Sequence, residues 1–252
     1  MLRLHRIDHA GAPLYAAERE GTFRLVNGDI FGSFEEGAVI ASEGLKMLPP
    51  VSPSKVVCIG LNYRDHAAEM KKAVPEEPLL FLKPSTAVIG PGAAIHAPQW
   101  AGRVDHEAEL GIVIKKTAVN VKAAHAHEYI LGLTCVNDVT ARELQTKDVQ
   151  YSRAKGFDTF APIGPCIAVG LDGRDLSVRA YVNGDLRQDS RTRELIFTLP
   201  EIVEFVTSVM TLLPGDVIAT GTPSGVGPLR PGDSVTVHVE GVGALTNPVV
   251  AR

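Results

Sequence analysis

The sequence predicts a β-dominated α+β protein, with a small β-rich N-terminal domain over residues 1–50 and a large domain over residues 51–252. Three observations predict it. Short apolar or alternating runs recur along the chain, 24 Gly and 17 Pro punctuate its 252 residues, and helical periods are few and scattered. A doubly wound sheet or a (β/α)8 barrel would need strands and helices in regular alternation, which the pattern lacks.

Taken in order, LYAAE and TFRLV read as strands broken by the turn Asn27-Gly28-Asp29, and the proline-rich stretch 47–54 reads as a linker. VVCIGL is an apolar strand. NYRDHAAEMKK follows as a short helix, which Pro75 and Pro78 end. LLFLKP, AVIG and AAIHAP are brief extended pieces, VDHEAELGIVIKK is the longest strand candidate, and ILGLTCVN is a strand ending at Asp138. TARELQTKDVQ is expected to be helical. Asn183-Gly184 between alternating runs is a hairpin signal, since both turn residues must adopt positive φ. Thr198 and Glu201 form a capping box that opens the amphipathic helix LPEIVEFVTSVMTLL. Pro-Gly-Asp turns at 214–216 and 231–233 precede the strands VIATG and SVTVHV.

Composition removes several classes of function. Net charge is −4 and the basic residues are dispersed, so no nucleic-acid partner is expected. Cys58, Cys135 and Cys166 lie far apart with no CxxC pair, which points to a reducing cytoplasm rather than a disulfide framework or a zinc knuckle. No stretch approaches the roughly 20 apolar residues of a membrane helix, and the N-terminus lacks an apolar signal core, so no membrane partner is expected. No GK[ST], no GxGxxG after a strand and no GxSxG occur, so neither a nucleotide cofactor nor serine acyl transfer is expected.

Two carboxylates two residues apart on a strand, Glu107 and Glu109, share a face at about 7 Å between Cα atoms. Held together they repel unless cations or protons neutralise them. An exposed strand face opposed by lysines would also explain them. Asp138, at the end of another apolar strand, adds a third carboxylate, and three such groups without a soft ligand suit Mg²⁺ or Mn²⁺. His66 and Glu69, at i and i+3, fall on one face of a helical turn, either as a solvated surface pair or as a general base with its orienting carboxylate. Lys83 and Lys155 lie in apolar or glycine-bearing contexts, where either could meet substrate and stabilise an oxyanion. ATGTPSGVGP, 219–228, offers backbone N–H groups that could cradle an anion. The one HxH pair, His125 and His127, falls in a helical context and is expected on the surface, which disfavours a cupin-like oxygenase.

Several segments together resemble the fumarylacetoacetate hydrolase family: VVCIGLNYRDHAAEM, PLLFLKPSTAVIGPG, VDHEAELGIVI, GLTCVNDVTARELQ, RAKGFDTFAPIGP and LLPGDVIATGTPSGVGP, in the family's order across residues 55 to 240. The resemblance implies a mixed β-roll catalytic domain, a homodimer, and Mg²⁺ or Mn²⁺ held by Glu107, Glu109 and Asp138. It also implies a mobile lid bearing His66 and Glu69, Lys155 on a substrate oxygen, and Arg142, Gln145 and Thr222 around the substrate. Asn62 occupies the loop where longer members would place a fourth carboxylate, leaving coordination to be completed by water and substrate.

The chain is shorter than fumarylacetoacetase and is similar to the short bacterial and mitochondrial members. The activity this implies acts on 2-oxo acids or their enols through a metal-stabilised enolate. It would be C–C hydrolysis of an acylpyruvate, or isomerisation or decarboxylation of a 2-hydroxyhepta-2,4-diene-1,7-dioate-type acid from aromatic breakdown. Oxaloacetate decarboxylation is the enzymatic alternative, and a metal-stabilised binding protein without turnover the non-enzymatic one.

Overall fold

The computed structural model describes residues 1–71 and 73–252. An antiparallel meander of β1 (Leu2–His9), β2 (Ala12–Arg19), β3 (Thr22–Gly28) and β4 (Phe34–Ile40) opens the chain, and β5 (Lys46–Met47) pairs with β1. Then come β6 (Lys55–Gly60), α1 (Arg64–Glu69), β7 (Leu79–Pro84), β8 (Val88–Ile89), β9 (Ile95–Ala97), β10 (Val104–His106) and β11 (Ala108–Ile114). A 3-10 helix at Ala123–Tyr129 leads to β12 (Ile130–Asn137), β13 (Thr140–Ala141), α2 (Arg142–Asp148), α3 (Ser152–Lys155) and β14 (Ala161–Val169). The chain closes with β15 (Ser177–Val182), β16 (Asp185–Arg191), α4 (Leu199–Val209), β17 (Val217–Ala219), β18 (Gly227–Leu229), β19 (Ser234–Val239) and β20 (Gly243–Ala251).

The strands form one 12-stranded mixed sheet of order β4-β3-β2-β1-β14-β12-β11-β17-β6-β7, with β5 and β8 attached, a three-stranded sheet β13-β10-β18 and a five-stranded sheet β16-β15-β19-β20-β9. Residues 1–50 extend the large sheet through the β1–β14 ladder, in which Leu4 faces Ile167. Two packed layers bury the centre. Leu110, Ile112, Leu133 and Cys135 meet Val178, Ala180, Val237 and Val239 of the five-stranded sheet, while Ile202, Val203 and Val206 of α4 close one end. On the opposite face Val113, Val136, Ile163 and Ile167 pack with Leu4, Ala17 and Val56. β11 is therefore buried along its whole length, which explains why its apolar run shows little alternation.

Local chemistry explains the turns. Asn183 and Gly184 have φ of 54° and 87°, the doubly positive turn that joins β15 to β16. Thr198 and Glu201 make both halves of the capping box, and α4 ends at Val209, four residues before the apolar run does. The expected single strand at 104–116 is broken at Glu107. Its N–H donates to Asn137 Oδ1 at 3.0 Å, so β10 and β11 belong to different sheets.

The Pro-Gly-Asp turn at 214–216 contains a structural hub. The buried Asp216 accepts hydrogen bonds from Ser54 N and Oγ, Lys55 Nζ and Leu213 N, at 2.6 to 2.9 Å, tying the start of β6 to the turn before β17. Asp216→Ala strands the Lys55 ammonium and these donors. We expect it to lower unfolding free energy by about 3 kcal/mol, the scale for breaking a largely buried pair. Denaturant titration checks this, and a loss below about 1 kcal/mol would show that the hub contributes little.

Candidate active site

Glu107, Glu109 and Asp138 converge because two strands end together. Ala108 of β11 faces Asn137 of β12 in the ladder, and Asp138 N donates to Glu107 O at 2.9 Å, so the break after β10 and the end of β12 are locked side by side. One oxygen of each carboxylate lies within 4.8 Å of the others, and all three residues are buried. Behind them Gly221, at φ +104°, brings its N–H to Glu109 Oε2 at 2.8 Å, and a Cβ there would stand 2.7 Å from Asn62 Cβ. Only glycine fits that approach.

Cations neutralise part of this cluster. Lys155 of α3 donates to Glu107 Oε2 at 2.8 Å and to Asp138 Oδ2 at 2.5 Å, leaving one of its three N–H donors for another oxygen. Arg142, at the start of α2, donates to Asp105 Oδ2 at 2.9 Å, Gln145 Oε1 at 2.6 Å and Glu107 Oε1 at 2.5 Å. With its Oε1 committed, Gln145 has its amide N–H groups left to donate. Burial favours a protonated Glu107, yet Lys155 and Arg142 hold it well below the usual carboxylate range. Burial also opposes charge on Lys155, but Asp138 and Glu107 carry it above the ordinary lysine value. Glu109 has no such cation. Burial and then the charges of Asp138 and Glu107 push it well above the carboxylate range.

These residues fit a hard divalent cation. Asp138 Oδ1 is buried without a hydrogen-bond partner. Lys83 Nζ lies 2.7 Å from it, but the three Lys83 N–H groups go to the carbonyls of Val139, Lys155 and Phe160 at 2.8 to 2.9 Å, so this contact is a charge pair and not a hydrogen bond. Lys83 is accordingly corrected from a substrate-binding residue to a buried strut beneath Asp138. Its donors are spent on backbone, and it does not line the cleft.

The cleft in front of the carboxylates encloses about 220 Å³ and is also lined by His66, Arg142, Gln145, Lys155 and Thr222. His66 Nδ1 lies 3.0 Å from Glu69 Oε2, and Glu69 also accepts from Gly225 N at 3.1 Å, so α1 is fastened to the glycine-rich loop. Lys72, inside the segment expected to form a lid, lies outside the described residues. Asn62 does not line the cleft. It bonds Phe197 N and O and Thr220 O at 2.7 to 3.2 Å and anchors the base of α1. The HxH pair lies on the 3-10 helix, with His125 exposed and 2.9 Å from Glu128.

Sequence reasoning missed the apolar wall. Met70, Leu79, Phe81 and Tyr151 line the cleft, and Lys155 Nζ stands 4.8 Å from the Phe81 ring centroid. Phe81 shares a strand face with Lys83, a period-two relation that was available in LLFLKP. Nothing local marks Tyr151.

The chain belongs to the family of the fumarylacetoacetate (FAA) hydrolase C-terminal domain, whose model matches residues 55–250. An uncharacterised protein of Archaeoglobus fulgidus is 53% identical over 235 residues, covering 90% of this chain and 94% of that one. The mitochondrial oxaloacetate tautomerase fahd2 of Xenopus laevis is 39% identical over 225 residues, 84% of this chain and 70% of that one. The crystal structure of 2-hydroxyhepta-2,4-diene-1,7-dioate isomerase from Mycobacterium marinum superposes with a TM-score of 0.93 at 43% identity, covering 100% of this chain and 99% of that one. Maleylpyruvate hydrolase from Sphingobium sp. SYK-6, solved with manganese(II) and pyruvate, gives 0.83 at 29% identity, with 99% of each chain covered. The strand-dominated fold is the one these two solved structures share.

The raised Glu109 has a sign consequence for stability. An unfolded glutamate titrates near 4.5, so above that pH the folded metal-free protein binds more protons than the unfolded chain, and stability falls as pH rises toward the folded value. In chelator, the Tm of wild type relative to Glu109→Gln should therefore drop as pH rises above the range of an unfolded glutamate. Mn²⁺ should reverse that drop, because metal binding displaces the proton. Parallel Tm curves for the two proteins would refute the raised value.

Proposed function

We propose that this protein is a divalent-metal-dependent enzyme acting on 2-oxo acids or their enols, with Mg²⁺ or Mn²⁺ held by Glu107, Glu109 and Asp138. The observation that carries the reading is the buried carboxylate trio opening onto a cleft that also presents Lys155 and His66. The cation would supply Lewis acidity to the 1-carboxylate and 2-oxygen of such an acid, stabilising enolate charge. The remaining N–H of Lys155 would donate to a substrate oxygen, and Arg142 and Gln145 would fix the substrate's orientation. An ionised Glu69 can only accept, so it holds the proton of His66 on Nδ1 and leaves Nε2 as the lone pair that takes a proton from water or substrate.

The reaction we favour is C–C hydrolysis of an acylpyruvate-type acid, or isomerisation or decarboxylation of a 2-hydroxyhepta-2,4-diene-1,7-dioate-type acid in aromatic breakdown. The relatives named for a dienedioate isomerase and for maleylpyruvate hydrolase support this range. Oxaloacetate chemistry is the second reading, supported by the tautomerase relative. The proposal includes a homodimer, which light scattering would test, and a cytoplasmic setting in keeping with three free, buried cysteines. Among the described residues no helix is long and apolar enough to cross a membrane.

A turnover screen of acylpyruvates, dienedioates and oxaloacetate with Mg²⁺ or Mn²⁺ tests the activity. We expect His66→Ala to keep metal affinity and to lose roughly 10²- to 10⁴-fold in kcat for hydrolysis, and less for decarboxylation, which needs no activated water. Equal losses in both reactions would make His66 a substrate-positioning group. Lys155→Met should lower kcat/KM by roughly a hundredfold with metal affinity nearly intact. A loss confined to metal binding would instead make Lys155 a partner of the carboxylates alone.

A further inference from the structure

Gln188 lies on β16, in a different sheet from the carboxylate strands, and is 1% exposed. All four hydrogen-bonding positions of its amide are used. Oε1 receives Ala108 N–H at 2.9 Å and lies 3.1 Å from His106 Nδ1, while Nε2 donates to Thr222 Oγ1 and to Pro223 O, each at 2.8 Å. Chemistry fixes the direction of these bonds. A peptide N–H can only donate and a peptide carbonyl can only accept, so the amide cannot be reversed without facing N–H against N–H and oxygen against oxygen. Because Oε1 accepts, His106 must carry its proton on Nδ1. The Thr222 hydroxyl then receives the Gln188 N–H and gives its own proton to Ala108 O at 2.9 Å.

The chain of donors therefore runs one way, from His106 through Gln188 and Thr222 to Ala108, around the two residues that flank Glu107. It leaves Thr222, at the wall of the cleft, with a single lone pair and no free proton. A threonine beside substrate would ordinarily be taken as a donor to a carboxylate or oxyanion. Here it is barred from that role, because donating to substrate would orphan the buried carbonyl of Ala108.

We propose that Gln188 is a positioning residue that holds Thr222 as a hydrogen-bond acceptor, so that the group Thr222 receives is a protonated oxygen: a water molecule or a hydroxyl of the substrate. The hydroxyl's identity as the enol of a 2-oxo acid rests on the proposed function, whereas the acceptor role of Thr222 does not.

Two measurements test this. In the metal-free protein, nitrogen NMR of the imidazoles should show His106 protonated on Nδ1 and bare on Nε2. The opposite tautomer would set a bare Nδ1 against Gln188 Oε1, contradict the amide orientation on which the proposal stands, and overturn it without any ligand present. In the Mn²⁺-loaded protein, calorimetry compares lactate, which carries a hydroxyl, with oxalate, which carries none. Thr222→Val should weaken lactate about fivefold, the scale of one hydrogen bond, and change oxalate less than about twofold. Thr222→Ser should retain both affinities. Gln188→Ala should show the same preference for oxalate, with no further loss in the double variant, since both act through one hydroxyl. Equal weakening of both probes, or unchanged lactate binding, overturns the assignment. If Gln188→Ala does not fold, the near-isosteric Thr222→Val still decides. A wild type that turns over no 2-oxo acid yet discriminates the probes would reject the proposed function and leave the Thr222 assignment standing.

Discussion

Negative charge brought out of water must be answered by positive charge or by protons, and this requirement organises the molecule around Glu107, Glu109 and Asp138. Lys155 and Arg142 answer it at close range, and Lys83 supports Asp138 from below. Each cation arrives on a different element: β7 for Lys83, α2 for Arg142 and α3 for Lys155. The short helices are held to this place by the charges they carry. Lys83 also binds the carbonyl of Lys155, so strut and reactive lysine form one assembly.

The balance is uneven by position. Glu107 has two cations and stays ionised, while Glu109 faces two carboxylates and a single peptide N–H. That asymmetry leaves the cluster short of positive charge on the Glu109 side. The sheet packing gives the arrangement its rigidity. β11 and β12 are buried on both faces, so the carboxylates at their ends have little freedom to move apart.

How much of this could be read from the sequence depended on how local the signal was. The i, i+3 spacing of His66 and Glu69, the strand-end position of Asp138 and the capping box at Thr198 are properties of a few consecutive residues, and the structure displays each contact. The break at Glu107 was not legible, because it depends on Asn137, a residue thirty positions away that captures the Glu107 N–H. Lys83 shows a different limit. Its apolar setting revealed burial, but the direction of its ammonium was set by three carbonyls from distant segments. β1 escaped notice because His5, Arg6 and Asp8 interrupt its apolar residues, and its place is fixed by pairing with β2 and β14. Gln188 looks like any polar residue of a hairpin, and only the packing of two sheets reveals that its amide is fully enclosed.

In the proposed reading, the double engagement of Glu69 would tie access to reactivity. One carboxylate both orients His66 and grips Gly225, and Asp65 reaches Ser224 beside it at 3.4 Å. In that reading, lifting α1 to admit or release a small molecule would break the grip on Gly225 and carry His66 and Glu69, which ride on the same helix, away from the buried carboxylates together. The open protein would thus be disarmed, with the base in place only when the cleft is shut. Bulk water entering during exchange would meet the carboxylates without the base beside them, so such a gate would also act as a safety catch.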